Sequence, residues 1–268
     1  MRISLETRRT VRRLFERLDY QRLGPIYCYE GGDEFWRAKC EPCRKLGFKL
    51  AEALLKKLPR GGRSLYVGAG VAELPCLLAE TMDLHRHVEP YNLRRIEVAV
   101  LNRACRGTPL RFRARTAEGA KAPFDHLWIV SVLNDPERFP DLSSLSYGNA
   151  NPVTFRPAQF VRQRRTVQSI VNRCMAKLSL PALVTTSIEE VVWIADWCHR
   201  HRVPYHVERK YYATALVGDP VCFIRVGTLQ TKFPIRQTPS ALRGDSYTCG
   251  HSARSSQPIL GSTPLPCP

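Results

Sequence analysis

Two glycines, Gly68 and Gly70, interrupt the apolar run that starts at Ser64, at the point where it passes into a helical pattern. Glycine lets the backbone turn tightly and approach a ligand closely, where a Cβ would obstruct. About twenty residues on, a second short run, Leu84 to Glu89, ends in a carboxylate. One βα unit between a glycine turn and an acid suits a nucleotide site, because the turn admits the cofactor and the acid accepts hydrogen bonds from ribose hydroxyls. A Gly-x-Gly alone is also an ordinary tight turn, so the elements around it decide its meaning.

Those elements alternate. Val71 to Met82 carries Leu74, Leu77, Leu78 and Thr81 at helical spacing, and Leu93 to Ala104 aligns Leu93, Ile96, Val100 and Ala104. Leu110 to Ala114 reads as a third strand, and Phe124 to Leu133 as a fourth that is apolar on both faces, as a buried parallel strand is. Pro181 to Thr186 reads as a fifth. Ser187-Ile-Glu-Glu190 then offers a capping box for a helix running to about Arg200. Tyr205 to Val217 and Val221 to Val226 are strand-like on either side of the turn signal Gly218-Asp219-Pro220, which predicts a hairpin. The expected fold is a Rossmann-like, doubly wound, mostly parallel seven-stranded sheet with a C-terminal antiparallel hairpin.

With that order in place, residues 60 to 227 resemble the class I S-adenosylmethionine-dependent methyltransferases. The family's acid-x-Gly-x-Gly-x-Gly turn is matched by Tyr66-Val-Gly68-Ala69-Gly70-Val-Ala72, with Tyr66 where the family has an acid that helps bind the methionine end, and Ala72 in place of the last glycine. The resemblance implies that Glu89 binds both ribose hydroxyls, that Pro90 and Tyr91 lie beside the adenine, and that Thr116, Ala117 and Glu118 fall near its edge. It further implies that Ser131 and the run to Asp135 lie where substrate and methyl group meet, with Asn134 and Asp135 as substrate-side catalytic candidates. Tyr147 and Asn151 in the following loop are secondary candidates. His126 or Asp135 could take a proton from a hydroxyl or amine acceptor, although a lone His in a strand is more often structural and Asp135 could simply cap the next turn.

Ahead of the sheet, Val11, Leu14, Phe15 and Leu18 mark one amphipathic helix, and Leu46, Leu50, Ala53, Leu54 and Leu58 another, so residues 1–62 are expected to form a helical cap on a cofactor domain spanning 63–227. The segment Tyr27 to Trp36 joins them, either folded over the cofactor or packed on the surface. From Thr228 onward Pro, Ser, Gly and Thr dominate, which predicts a disordered tail over 228–268.

Composition excludes several classes. The 268 residues are 44% hydrophobic and 24% charged, ordinary for a globular chain. No apolar run approaches the roughly 20 residues of a membrane span, and the charged first turn is followed by no signal-like apolar region, so the expectation is a cytoplasmic protein without a membrane partner. Of the ten cysteines, Cys76, Cys105, Cys174, Cys198 and Cys222 fall in predicted helices or strands and behave as buried thiols. Cys28 with Cys40-Glu-Pro-Cys43 could supply part of a metal site or a redox couple, but a zinc site needs about four ligands, and no metal is expected.

The net charge of +17 points to anionic partners. Residues 1–63 hold 16 of the 41 basic residues, and no acid occurs between Asp141 and Glu189, where Arg156, Arg162, Arg164, Arg165, Arg173 and Lys177 lie on or before a helix. An anionic small-molecule acceptor or an RNA could use that surface, as could water alone. The readings that remain are a methyltransferase acting on a small molecule, RNA or protein, a nicotinamide-dependent oxidoreductase, and a noncatalytic cofactor-binding protein. The missing third glycine and the terminal hairpin disfavour the oxidoreductase.

Overall fold

The computed structural model describes residues 2–27, 32–214 and 219–227, which lie within one compact unit, residues 1–229. Three helices come first: α1 (Leu5–Arg17), α2 (Tyr20–Tyr27) and α3 (Gly32–Lys57). The alternating region follows with β1 (Arg63–Val67), α4 (Leu74–Leu78), β2 (His87–Tyr91), α5 (Arg95–Ala104), β3 (Phe124–Ile129), α6 (Pro140–Ser146), α7 (Pro157–Met175), β4 (Leu178–Ser187), α8 (Val191–Arg200), β5 (Tyr205–Val207) and β6 (Val221–Val226). The six strands form one sheet in the order β2-β1-β3-β4-β6-β5. β1, β2, β3 and β4 run parallel, and β6 lies antiparallel between β4 and β5.

Side chains alternate across the sheet with period two and divide the core between its faces. Tyr66, Trp128, Leu183 and Phe223 pack with α1, α3, α4 and α5. Their neighbours Leu65, Leu127, Val184 and Ile224 pack with α7 and α8 on the other face. Both faces are therefore covered, which is why β1 and β3 read as continuous apolar runs. The architecture is a Rossmann-like, doubly wound and mostly parallel sheet with an antiparallel closing strand.

Among the described residues the seven strands expected are six. Residues 110–114 form a single bridge, Tyr91 to Arg113, held by Arg113 N–H to the Pro90 carbonyl (2.9 Å) and Asn92 N–H to the Arg113 carbonyl (3.0 Å). The next rung of a parallel ladder would need an N–H from Pro90, and proline has none. The hairpin is likewise shorter than its pattern: β5 stops at Val207, a lone bridge joins Tyr212 to Val221, and Gly218 lies outside the described residues. The predicted helix from Val71 to Met82 begins only at Leu74 and opens into a π turn over Ala79–Asp83. That extra residue per turn carries Glu80 into the core. Residues 228–268 lie outside the described residues, as does the link between α2 and α3, residues 28–31, which includes Cys28.

The buried Glu80 anchors a polar cluster beneath the sheet's first strands. It accepts hydrogen bonds from Ser64 and from Tyr66 Oη (2.5 Å), lies 3.0 Å from His126 Nδ1, and pairs with the fully buried Arg86 (3.3 Å). Arg86 also donates to the carbonyls of Pro59 (3.1 Å) and Gly61 (2.6 Å) and pairs with Asp125. Burial raises the Glu80 carboxyl, but His126, Ser64 and Tyr66 outweigh it and leave the group below its usual range.

Candidate cofactor and substrate cavity

A cavity of about 700 Å³ opens at the C-terminal ends of β1, β2 and β3, and α2 and α3 supply its roof through Tyr27, Phe35, Cys43 and Leu46. Neighbouring strands leave β1 in opposite directions here, which makes this the switch point where open α/β sheets bind ligands. The volume falls within the roughly 300–1,000 Å³ of small-molecule sites.

The floor is the glycine turn. Gly68 has φ +72°, a conformation that a residue with a Cβ adopts with strain, and an added Cβ would meet Val132 Cγ2 at 2.5 Å. At Gly70 the conformation is ordinary and the constraint is space: a Cβ would meet Glu97 Oε1 at 2.5 Å and Tyr27 Oη at 2.7 Å. The neighbouring Ala69 is wholly buried, its N–H donating to the Tyr91 carbonyl (2.9 Å) and its carbonyl accepting from Asn92 Nδ2 (2.9 Å).

Two carboxylates flank this turn. Gly70 N–H donates to Glu73 (2.8 Å), and Glu97 accepts from Tyr27 Oη and from Asn92 Nδ2 (3.0 Å). Burial raises Glu73 to about 7, with the Gly70 hydrogen bond opposing and the nearby Glu97 charge adding to the rise. Glu97 is raised by burial as well, against hydrogen bonds from Tyr27 and Asn92. A glycine turn leading into a helix ordinarily attracts anions. In this chain its amide is already taken by a carboxylate, and the surroundings favour a cation.

The opposite wall is the loop after β3. Ser131 has φ +54°, and Ser131, Val132 and Leu133 donate their backbone N–H groups to the buried Glu190, at 3.0, 2.6 and 2.5 Å. Thr186 Oγ1 (3.2 Å) and Ser187 N–H (3.5 Å) also donate to this carboxylate. Beyond the loop, Asn134 is 1% exposed and lines the cavity, yet neither its Oδ1 nor its Nδ2 has a hydrogen-bond partner among the described residues. Ser131 Oγ is in the same position.

The cavity thus collects Gly68, Gly70, Thr116, Ala117, Ser131, Asn134, Asp135 and Tyr147 from the sequence candidates. Others lie apart. Tyr66 is buried, stacked on Trp128 at 5.2 Å and bonded to Glu80, so its hydroxyl serves the core. Glu89 sits within β2 rather than at its end, 4% exposed, its carboxylate taken by Arg63 (2.7 Å), Tyr91 Oη (2.9 Å) and Arg113. Burial would raise it, but these partners hold it below its usual range. The strand runs on to Tyr91, so Tyr91, Asn92 and Leu93 line the cavity, and Glu89 and Pro90 do not. His126 and Asn151 are also outside the lining. Asp135 accepts from Glu137 N–H (2.9 Å), capping the following turn, and Tyr147 Oη donates to Asp219. Among the described residues no group of three or more metal-ligating side chains converges, and no helix is long and apolar enough to cross a membrane.

Glu73, Glu97 and the loop-holding role of Glu190 are the groups sequence reasoning passed over. Glu97 did leave a signal: it precedes Leu101 by four and Ala104 by seven, placing a charge on the apolar side of α5.

No protein-family model matches the chain, and no curated protein matches it in sequence. Solved structures do resemble it. The chain superposes on the magnesium protoporphyrin IX methyltransferase ChlM of Synechocystis PCC 6803, determined with bound SAM, at TM-score 0.48 and 11% identity over 84% of this chain and 99% of that one. A methyltransferase from Pyrococcus furiosus gives 0.43 and 13% over 68% and 83%. TrmN from Thermus thermophilus gives 0.40 and 16% over 66% of this chain, which spans about half the length of that protein (48%).

Proposed function

We propose that this chain is an S-adenosylmethionine-dependent methyltransferase acting on a small, anionic acceptor. The observation that carries the reading is the pair of carboxylates, Glu73 and Glu97, at the glycine turn of the cavity. They would repel the pyrophosphate of a nicotinamide dinucleotide, and they suit a cofactor with an ammonium and a sulfonium. When bound, S-adenosylmethionine supplies a methyl group on a good leaving group.

The residues present fit that cofactor. Glu73 and Glu97 would take the ammonium in place of the acid missing at Tyr66. Tyr91 and Leu93 offer an apolar wall for the base, with Thr116 and Ala117 at its edge. What remains for the protein is to orient and dehydrate the acceptor, and alignment of this kind can supply most of the acceleration of an in-line displacement. The Glu190-held loop presents Asn134, whose amide offers one donor and one acceptor side to the acceptor molecule. Asp135 and Tyr147 line the same side of the cavity.

The test is calorimetric titration with S-adenosylmethionine, S-adenosylhomocysteine and NADH, on the native chain and on Glu73→Gln. Selective binding of the first two, weakened in the variant, is the expected result. Binding of NADH alone would return the oxidoreductase reading, and binding of none would favour a noncatalytic protein.

A further inference from the structure

A second concavity, of about 470 Å³, opens beside the first and is lined by Arg138, Phe139, Gln159, Arg162, Gln163 and Thr166. Arg138 lines both. Its charge is one-sided. α7 carries four arginines and no acid over its 19 residues, and of these only Arg173 has a carboxylate partner among the described residues, Glu118 at 2.5 Å. Arg138 and Arg162 are exposed and have none. Asp141 on α6 is buried and already accepts from Arg156 N–H (3.1 Å) and Gln163 Nε2 (3.4 Å). Arg138 is braced rather than loose, its guanidinium stacked over the Phe139 ring at 5.1 Å. Arg165 and Thr166 follow Arg162 at i+3 and i+4 and extend the same face.

From this juxtaposition we infer that the second concavity is a phosphate subsite: the molecule that enters the main cavity carries a phosphate ester, which Arg138 and Arg162 grip from two sides. Guanidinium groups suit this ligand because their planar N–H forks match phosphate oxygens. The assignment of that molecule as a methyl acceptor rests on the methyltransferase reading, whereas the subsite itself does not. Two sources share the chemistry, a small phosphate ester and a nucleic-acid backbone, and they differ in what binds.

The experiment measures binding of inorganic phosphate, adenosine monophosphate and a twelve-nucleotide single-stranded RNA to the full chain, alongside S-adenosylhomocysteine. The variants are Arg138→Glu with Arg162→Glu, the milder Arg138→Gln with Arg162→Gln, and a control reversal of the exposed Arg9 and Arg12 on α1. The expected result is a tenfold or greater loss of the phosphate-bearing probe in the Glu pair, a smaller loss in the Gln pair, and no change in the α1 control. If RNA is the ligand, the slope of log K against log salt also drops by about 1.4 in the Glu pair, roughly 0.7 per lost contact. Saturable binding of the monophosphate identifies a small ester instead. Equal loss in the α1 control, no loss in either pair, or no binding by any probe overturns the subsite. Failure of S-adenosylhomocysteine alone would sink the methyltransferase reading and leave the subsite standing.

Discussion

The backbone N–H of Gly70 donates to the Glu73 carboxylate at 2.8 Å, so this amide of the glycine turn is satisfied from within the chain. Because Glu73 lies near 7 rather than its usual 4.5, its charge is set by neutral-range pH. The folded chain holds this proton between those two values and the unfolded chain does not, so the Glu73 contribution to stability falls as pH rises through that window. Affinity for an ammonium-bearing ligand moves the opposite way. S-adenosylhomocysteine should bind on the order of tenfold more tightly at pH 7.5 than at pH 6, a dependence lost in Glu73→Gln. Calorimetry at the two pH values reads it.

Gly70→Ala should disable the same turn by crowding, since the new methyl would fall on Glu97 and Tyr27. Overpacking of this kind costs about 1–3 kcal/mol. The expected outcome is a lower urea midpoint together with loss of S-adenosylhomocysteine binding, measured on the same preparation.

Glu89→Gln separates a structural carboxylate from a ligand-binding one. Its partners are Arg63, Tyr91 and Arg113, and it stands outside the cavity lining. Denaturant stability should drop by about 1–3 kcal/mol, the cost of charge-assisted hydrogen bonds, while S-adenosylhomocysteine affinity stays within twofold. A tenfold loss of affinity in a folded variant would instead assign Glu89 to the sugar.

Glu190 holds three consecutive amides of the loop that carries Asn134. Glu190→Ala leaves those donors without their acceptor, each about 1–3 kcal/mol if it stays dry, so the loop should open. Faster hydrogen exchange confined to residues 131–135 is the readout, with protection of β1 and β4 unchanged.

Arg86→Met removes a guanidinium that is 0% exposed from the cluster of Glu80 and Asp125. Stranding a buried carboxylate costs about 3–5 kcal/mol, enough to threaten folding of a marginally stable domain. Double replacement with Glu80→Gln should recover part of that loss in thermal unfolding.

Much of the architecture was legible from local pattern. Apolar runs at residues 64–67 and 124–129, with helical spacing between them, required a parallel sheet covered on both faces, and the antiparallel pairing of β6 followed from the turn before it. The glycine turn and the loop after β3 were likewise located, because glycine and strand ends leave local marks. The third strand was misread because its apolar residues suit a ladder that Pro90 cannot donate to.

What the sequence by itself determined is this order of elements and the end of the sheet at which the cavity opens, since both follow from short-range periodicity. Only the tertiary structure decided which acids serve the site. Glu73, Glu80, Glu89, Glu97 and Glu190 are alike as residues; burial and partners brought from distant segments turned Glu80 and Glu89 toward arginines, Glu190 toward backbone amides, and Glu73 and Glu97 toward the cavity. A carboxylate's role depends on its local dielectric and neighbours, and those are properties of the folded chain.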